Sequence, residues 1–304
     1  MTDKDKEKAR DMVRAALAAD SLSLGVHWIY DAQKIEAEYG RVDTLLAPGE
    51  DSYHPTKRKG EFTHYGDQMF TLLSSVAEGG YDTDVFFRDW QAMFEGYDGY
   101  MDTATRSTLK HIAQGKGPSE CGSASNDMAG AARIAPVVLA LRDAPDRLTD
   151  AVRAQTRMTH NDDATVETAQ FLARVCLACM DGTAPAAAMK EIAQAHFDSS
   201  PVEMWTTQGL GAVEQDSVSA VMRFGQSCHT SEVLSGAVQI IASHEQDLGG
   251  ALVASVMAGG DNAARAAVVA QVLAAYNGLD GQTAAWFDGL VRKDDIDKLL
   301  DRIP

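Results

Sequence analysis

Side chains able to do chemistry are gathered in a few short stretches of this 304-residue sequence, each set among glycine and alanine. ADSLSLGVHWIYD carries Asp20, His27 and Asp31, and GEFTHYGDQM carries His64, Asp67 and Gln68. GSASNDMAGAARIAP carries Asn126, Asp127 and Arg133, and TRMTHNDDATVE carries His160. MAGGDNAARAAVVA places Gly259 and Gly260 before Asp261, with Asn262 and Arg265 following. Each acid admits two readings. A side-chain oxygen at a helix start satisfies free backbone N–H groups, so Asp31, Asp127, Asp162 and Asp261 can be caps. Helix N-termini carrying acids and small residues can also converge on one pocket, where they favour anions and polar ligands.

The elements that must position these groups are helices. Met12, Val13, Ala16 and Leu17 make one apolar stripe; Val85, Phe86, Trp90, Met93, Phe94 and Tyr97 make another, opened by Asp82, Thr83 and Asp84 as capping residues. The periodicity predicts further helices at about 67–78, 102–113, 126–142, 146–158, 162–181, 184–197, 231–243, 246–257, 262–276 and 283–301, with Asn277-Gly278 as a stop. The sole strand candidate is residues 22–26. Alanine-rich helix faces suit close packing, and the loop from about 40 to 66 is the longest stretch without helical pattern. The expectation is an all-α, single-domain bundle of crossing helices over residues 1–304, with polar residues gathered in a few loops.

Lys and Arg number 27 against 44 Asp and Glu, a formal charge of −17. That acidity argues against nucleic acid and anionic membranes as partners. No apolar run approaches the ~18–20 residues of a membrane span, and the N-terminus lacks the apolar core of a signal peptide, so a cytoplasmic location is expected. Four cysteines make no disulfide framework; Cys176 and Cys179 read as buried thiols of an apolar helix.

The order of the polar stretches resembles the ADP-ribosylglycohydrolase family over about residues 7–290. Ala19-Asp20-Ser21-Leu22 with Leu24-Gly25 is similar to the family's Gly-Asp-Ala-Leu-Gly-like turn, and Gly66-Asp67-Gln68-Met69 to its Thr-Asp-Asp-Thr motif. Residues 122–136 resemble its Gly/Ser/Asn turn into Arg-Ile-Ala-Pro, Thr159-His160 its Thr-His pair, and Gly259-Gly260-Asp261-Asn262-Ala263-Ala264 its Gly-Gly-Asp-Thr-Asp-Thr. The resemblance implies an all-α bundle with a central cleft, and hydrolysis of the bond between ADP-ribose and an amino-acid side chain using two Mg²⁺ or Mn²⁺ ions held by oxygen ligands.

This sequence departs from the family at the metal motifs. Gly66, Gln68, Met69, Asn262, Ala263 and Ala264 stand where acids and hydroxyls are expected. The loss of anionic charge argues against two close dications. It leaves either one Mg²⁺ or Mn²⁺ on Asp67 and Asp261, helped by Asp20, Asp31 or Gln68 and waters, or no metal. The functional expectation is a hydrolase cleaving an ADP-ribosyl or related N- or O-glycosidic bond. Asp67 and Asp261 would be its catalytic carboxylates and His64 or His27 would aid proton transfer. His27, Asn126, Asp127, His160 and Arg265 are candidate substrate-binding residues, Arg265 through a phosphate or carboxylate. Cys228 beside His229 is a weaker nucleophile candidate. The alternative is an inactive ligand-binding or crystallin-like structural protein of the same fold.

Overall fold

The helical periodicity of the sequence is realised along almost the whole chain. The computed structural model describes residues 3–304 and contains, among those residues, seventeen helices and no strand. They are α1 (Asp3–Leu24), α2 (Ala32–Tyr39), α3 (His64–Gly79), α4 (Thr83–Phe94), α5 (Thr103–Ala113), α6 (Ala129–Ala132), α7 (Ala135–Leu141), α8 (Pro145–Arg157), α9 (Asp163–Met180), α10 (Pro185–His196), α11 (Pro201–Leu210), α12 (Ser217–Phe224), α13 (Thr230–Ser243), α14 (Leu248–Met257), α15 (Asn262–Asn277), α16 (Gly281–Asp288) and α17 (Lys293–Arg302).

At the centre lies α15, buried from Asn262 to Ala275. A helix that is apolar all round belongs in a core. Helix α1, with Ala15, Ala16 and Ala19 fully buried, runs along it, and α9, α13 and α14 complete its surround. One continuous apolar cluster reaches from Ala9 to Ile303. No helix among the described residues is long and apolar enough to cross a membrane.

Several boundaries differ from the sequence-based expectation. Residues 22–26 are not a strand: α1 runs to Leu24 and ends in a turn. The helix expected over 126–142 is two, α6 and α7, interrupted at Arg133-Ile134 just before Pro136, whose missing N–H suits a helix start. The helix expected over 283–301 is likewise α16 and α17, stopped at Gly289. The short helices α2, α11 and α12 had no sequence prediction.

Asp20 joins α1 to the start of α3. Its carboxylate accepts from the Thr63 N–H (2.8 Å), the Thr63 hydroxyl (2.6 Å) and the Gly66 N–H (3.0 Å). Gly66 is required because a Cβ there would strike that carboxylate. Gly66→Ala is therefore expected to lower stability by about 2–4 kcal/mol, read as a fall in the urea midpoint. A midpoint unchanged from the parent would show that the junction can yield.

Candidate active site

The polar stretches, far apart in sequence, are stitched together by backbone hydrogen bonds. The Gly260 N–H donates to Ile29 O (2.8 Å), the Trp28 N–H to Gly260 O (3.0 Å), and the Asp261 N–H to Gln226 O (2.8 Å). The Met128 N–H donates to Cys228 O and the Thr230 N–H to Asn126 O, both at 2.9 Å. The Ser123 N–H donates to Thr159 O and the Asn161 N–H to Ser123 O. The loops after α1, before α6, after α8, after α12 and after α14 thus meet in one place.

Gly259 and Gly260 both take φ of +66°, a region that costs other residues roughly 1–2 kcal/mol. A Cβ on Gly260 would also collide with the Gln226 carbonyl, and one on Gly259 with that of Ile29. Gly260→Ala is expected to destabilise the fold by about 2–4 kcal/mol and to displace Asp261. Chemical denaturation checks this; a loss below about 0.5 kcal/mol would contradict it.

Asp261 does not cap α15: its carboxylate is fully buried and neither oxygen has a hydrogen-bond partner. Burial, and then the Asp127 carboxyl, push its pKa well above the usual carboxylate range. Asp31 and Asp162, by contrast, do cap α2 and α9. Asp127 accepts from the Ala129 N–H (2.8 Å) and the Tyr65 hydroxyl (3.4 Å), and burial with nearby Asp102 pushes it up to about 6.

Three buried imidazoles lie beside these acids. His27 follows α1 and meets Asn262 Oδ1 through Nδ1 (2.9 Å); its Nε2 is 3.8 Å from Asp261 Oδ1. His64 opens α3, with Nδ1 3.2 Å from His54 Nε2 and Nε2 3.3 Å from Asp102 Oδ2. Burial holds His27 well below its ordinary pKa and His54 down to about 3. Burial disfavours the Asp102 charge, but the His64 imidazole beside it keeps that carboxyl well below the usual range. Trp28, the one non-glycine residue at positive φ among the described residues, stacks on His27. It also meets Tyr53 (4.8 Å between ring centroids) and Tyr100 (5.1 Å) edge-on, forming an aromatic wall. A cavity of 280 Å³ is bordered by His27, Trp28 and Tyr53. A larger groove of 780 Å³, lined by Asp31, Val218, Met222 and Met257, contains neither a histidine nor the Asp127–Asp261 pair.

Other candidates stand elsewhere. The Asp67 carboxylate points to Lys57 Nζ (2.5 Å) and the Tyr97 hydroxyl (2.6 Å), where it anchors the 40–63 loop. It shares no polar partner with Asp261. Arg265 is buried and donates to Ser255 O (2.8 Å) and Gly259 O (2.6 Å), so it fastens the glycine turn and offers no exposed anion grip. His160 is buried against Gly130 with Nδ1 2.8 Å from Thr159 Oγ1, and burial and nearby Arg133 push it down to about 3. The Asn126 side chain is exposed while its carbonyl is taken by Thr230. The Cys228 thiol is pushed up by burial and by Asp127, opposite to what a thiolate nucleophile needs. Cys176 and Cys179 are buried free thiols.

The hard-cation site implied by the family motifs does not fit these residues. Asp67 is committed to Lys57 and Tyr97, Gly66 has no room for a side chain, and Asn262 holds His27. What remains beside Asp261 is the Asp127 carboxyl and imidazole nitrogen, and nitrogen is a poor donor for Mg²⁺.

His54, Asp102, Tyr53 and Tyr100 escaped the sequence reading. The length of the 40–66 loop was the available signal for Tyr53 and His54, and the predicted helix start at 102 for Asp102.

All-α architecture with this junction of polar loops defines the class, and comparison with known proteins agrees. The ADP-ribosylglycohydrolase family model matches residues 1–304, and the chain belongs to that family. Among curated proteins it is similar to crystallin J1A of Tripedalia cystophora, 24% identical over 97% of this chain and 95% of the relative. It is also similar to crystallin J1B of the same animal, 24% identical over 94% and 93%. Among solved structures, a chain described as an ADP-ribosylglycohydrolase-related protein complex shares the fold, with a TM-score of 0.72 and 21% identity over 99% and 98% of the two chains.

Proposed function

We propose that this chain is a hydrolase of an ADP-ribosyl or related N- or O-glycosidic bond, with residues 1–304 acting as one unit. The observation that carries the reading is the Asp127–Asp261 pair: two buried carboxyls, one with both oxygens unpartnered, beside an aromatic wall. A buried carboxyl without partners is costly to keep. Glycosidic hydrolysis uses such a pair, one group to protonate the leaving atom and the other to activate water or attack. Asp127, which accepts from two donors, suits the ionised role, and Asp261, raised further by burial and with only the Ala264 N–H turned toward it, suits the proton donor. Asp127 thereby takes the place expected of Asp67. His64 stays a site residue through its contacts with His54 and Asp102.

The test is a panel of ADP-ribose linked to guanidine, hydroxyl and carboxyl groups, together with smaller ribosyl compounds, followed for release of the free sugar. The reading expects turnover of at least one. The J1 crystallin relatives make a non-catalytic protein the competing reading. Stabilisation by ADP-ribose with no product from any compound would establish a binder and overturn the hydrolase.

A further inference from the structure

His27, His54 and His64 come from three separate elements: the turn after α1, the long loop and the first residue of α3. Each is nearly solvent-free, at 3%, 1% and 1% exposure. One ring nitrogen from each lies within 4.8 Å of the other two. In tetrahedral zinc sites with Zn–N near 2.0–2.1 Å, neighbouring nitrogens sit about 3.3 Å apart. His54 Nε2 and His64 Nδ1 are already 3.2 Å apart, and the His27 nitrogen lies within 4.8 Å of both.

The outer contacts resemble those that orient metal-binding imidazoles. A ligating histidine ordinarily gives its other N–H to a carbonyl or carboxylate, which fixes the tautomer. His27 Nδ1 faces the Asn262 amide oxygen, leaving Nε2 as a buried nitrogen with no hydrogen-bond partner. His64 Nε2 lies 3.3 Å from Asp102 Oδ2, close but not aligned as a hydrogen bond, leaving Nδ1 directed at the cluster, while His54 Nδ1 has no partner. In the bare protein His54 Nε2 can share a proton with His64 Nδ1, but nothing then satisfies His27 Nε2. Asp261 Oδ1 lies 3.8 Å from that nitrogen.

We infer that His27, His54 and His64 form a three-imidazole site for a borderline divalent cation of the Zn²⁺ or Co²⁺ kind. Imidazole suits these ions, whereas Mg²⁺ and Ca²⁺ prefer oxygen. The inference does not rest on the hydrolase reading, because binding is measured whether or not any substrate turns over.

The experiment is calorimetric titration of the full chain with Zn²⁺ alone and with Mg²⁺ alone, plus the visible absorption of the Co²⁺-loaded protein. Saturable binding of a single Zn²⁺ per chain is expected, with none for Mg²⁺, and with intense Co²⁺ bands of a four-coordinate nitrogen site. His54→Ala, in a loop and outside the helical core, should weaken Zn²⁺ by about 100-fold or more while circular dichroism stays unchanged. Should His54→Ala fail to fold, Asn262→Ala gives the second reading, an expected loss of about 10–100-fold. Absence of Zn²⁺ binding in the parent chain would overturn the site, as would parental affinity in folded His54→Ala or Asn262→Ala.

Discussion

Arg133→Ala is expected to destabilise the chain by about 3–5 kcal/mol, enough to remove much of a typical domain's stability. Arg133 is fully buried at the break between α6 and α7. Its guanidinium donates to Gln155 Oε1 (2.5 Å), Gln68 Oε1 (2.9 Å) and Thr159 Oγ1 (2.5 Å), tying α8, α3 and the loop that carries His160 into one network. Gln68 Oε1 also accepts from Trp90 Nε1 (2.8 Å), so the network reaches α4. Truncation leaves buried acceptors unpaired and opens a cavity beneath the polar loops. Burial pushes the guanidinium down to about 10, which still leaves it charged at neutral pH. Arg133→Met, which fills most of the volume without the charge, should cost less than the alanine variant. Urea unfolding of both variants checks this, and an alanine variant within about 1 kcal/mol of the parent would contradict it.

Asp261→Asn is expected to reduce kcat/KM by about 10²–10⁴-fold while leaving the unfolding midpoint at or above that of the parent. Removing the group that protonates the leaving atom removes a contribution made only in the transition state. Stability should not fall, because no hydrogen bond depends on the Asp261 carboxylate and the amide is nearly isosteric. Activity loss with retained stability separates a chemical role from a structural one. A variant as active as the parent would remove Asp261 from the mechanism, and one that unfolds would assign it to packing.

Helical periodicity carried the fold because burial along 3.6-residue stripes is a local property of sequence. It overran the break at Arg133-Ile134, just before Pro136, a local stop that apolar periodicity does not register. Asp67 illustrates the same limit within the site. Its neighbours His64, Tyr65 and Gln68 share the buried face of α3, while Asp67, Thr71 and Ser74 recur at helical spacing on the half-buried face. Motif matching put an acid at the site that helix geometry turns toward Lys57. Asp261, His27 and Asp127 were visible as residues, but their convergence depends on backbone bonds such as Asp261 to Gln226 that join distant loops. His54 lay in a loop whose length was noticeable and whose path was not.

The division of labour between the two acids is tested most directly by kcat/KM against pH for the parent chain and Asp127→Asn. The Asp127 carboxyl is raised to about 6, so its working ionised form is lost as pH falls through that value. The parent should lose activity on the acid side near pH 6, and Asp127→Asn should lower activity at every pH and abolish that limb. An acid limb persisting unchanged in Asp127→Asn would contradict the assignment of the Asp127–Asp261 pair as the catalytic centre.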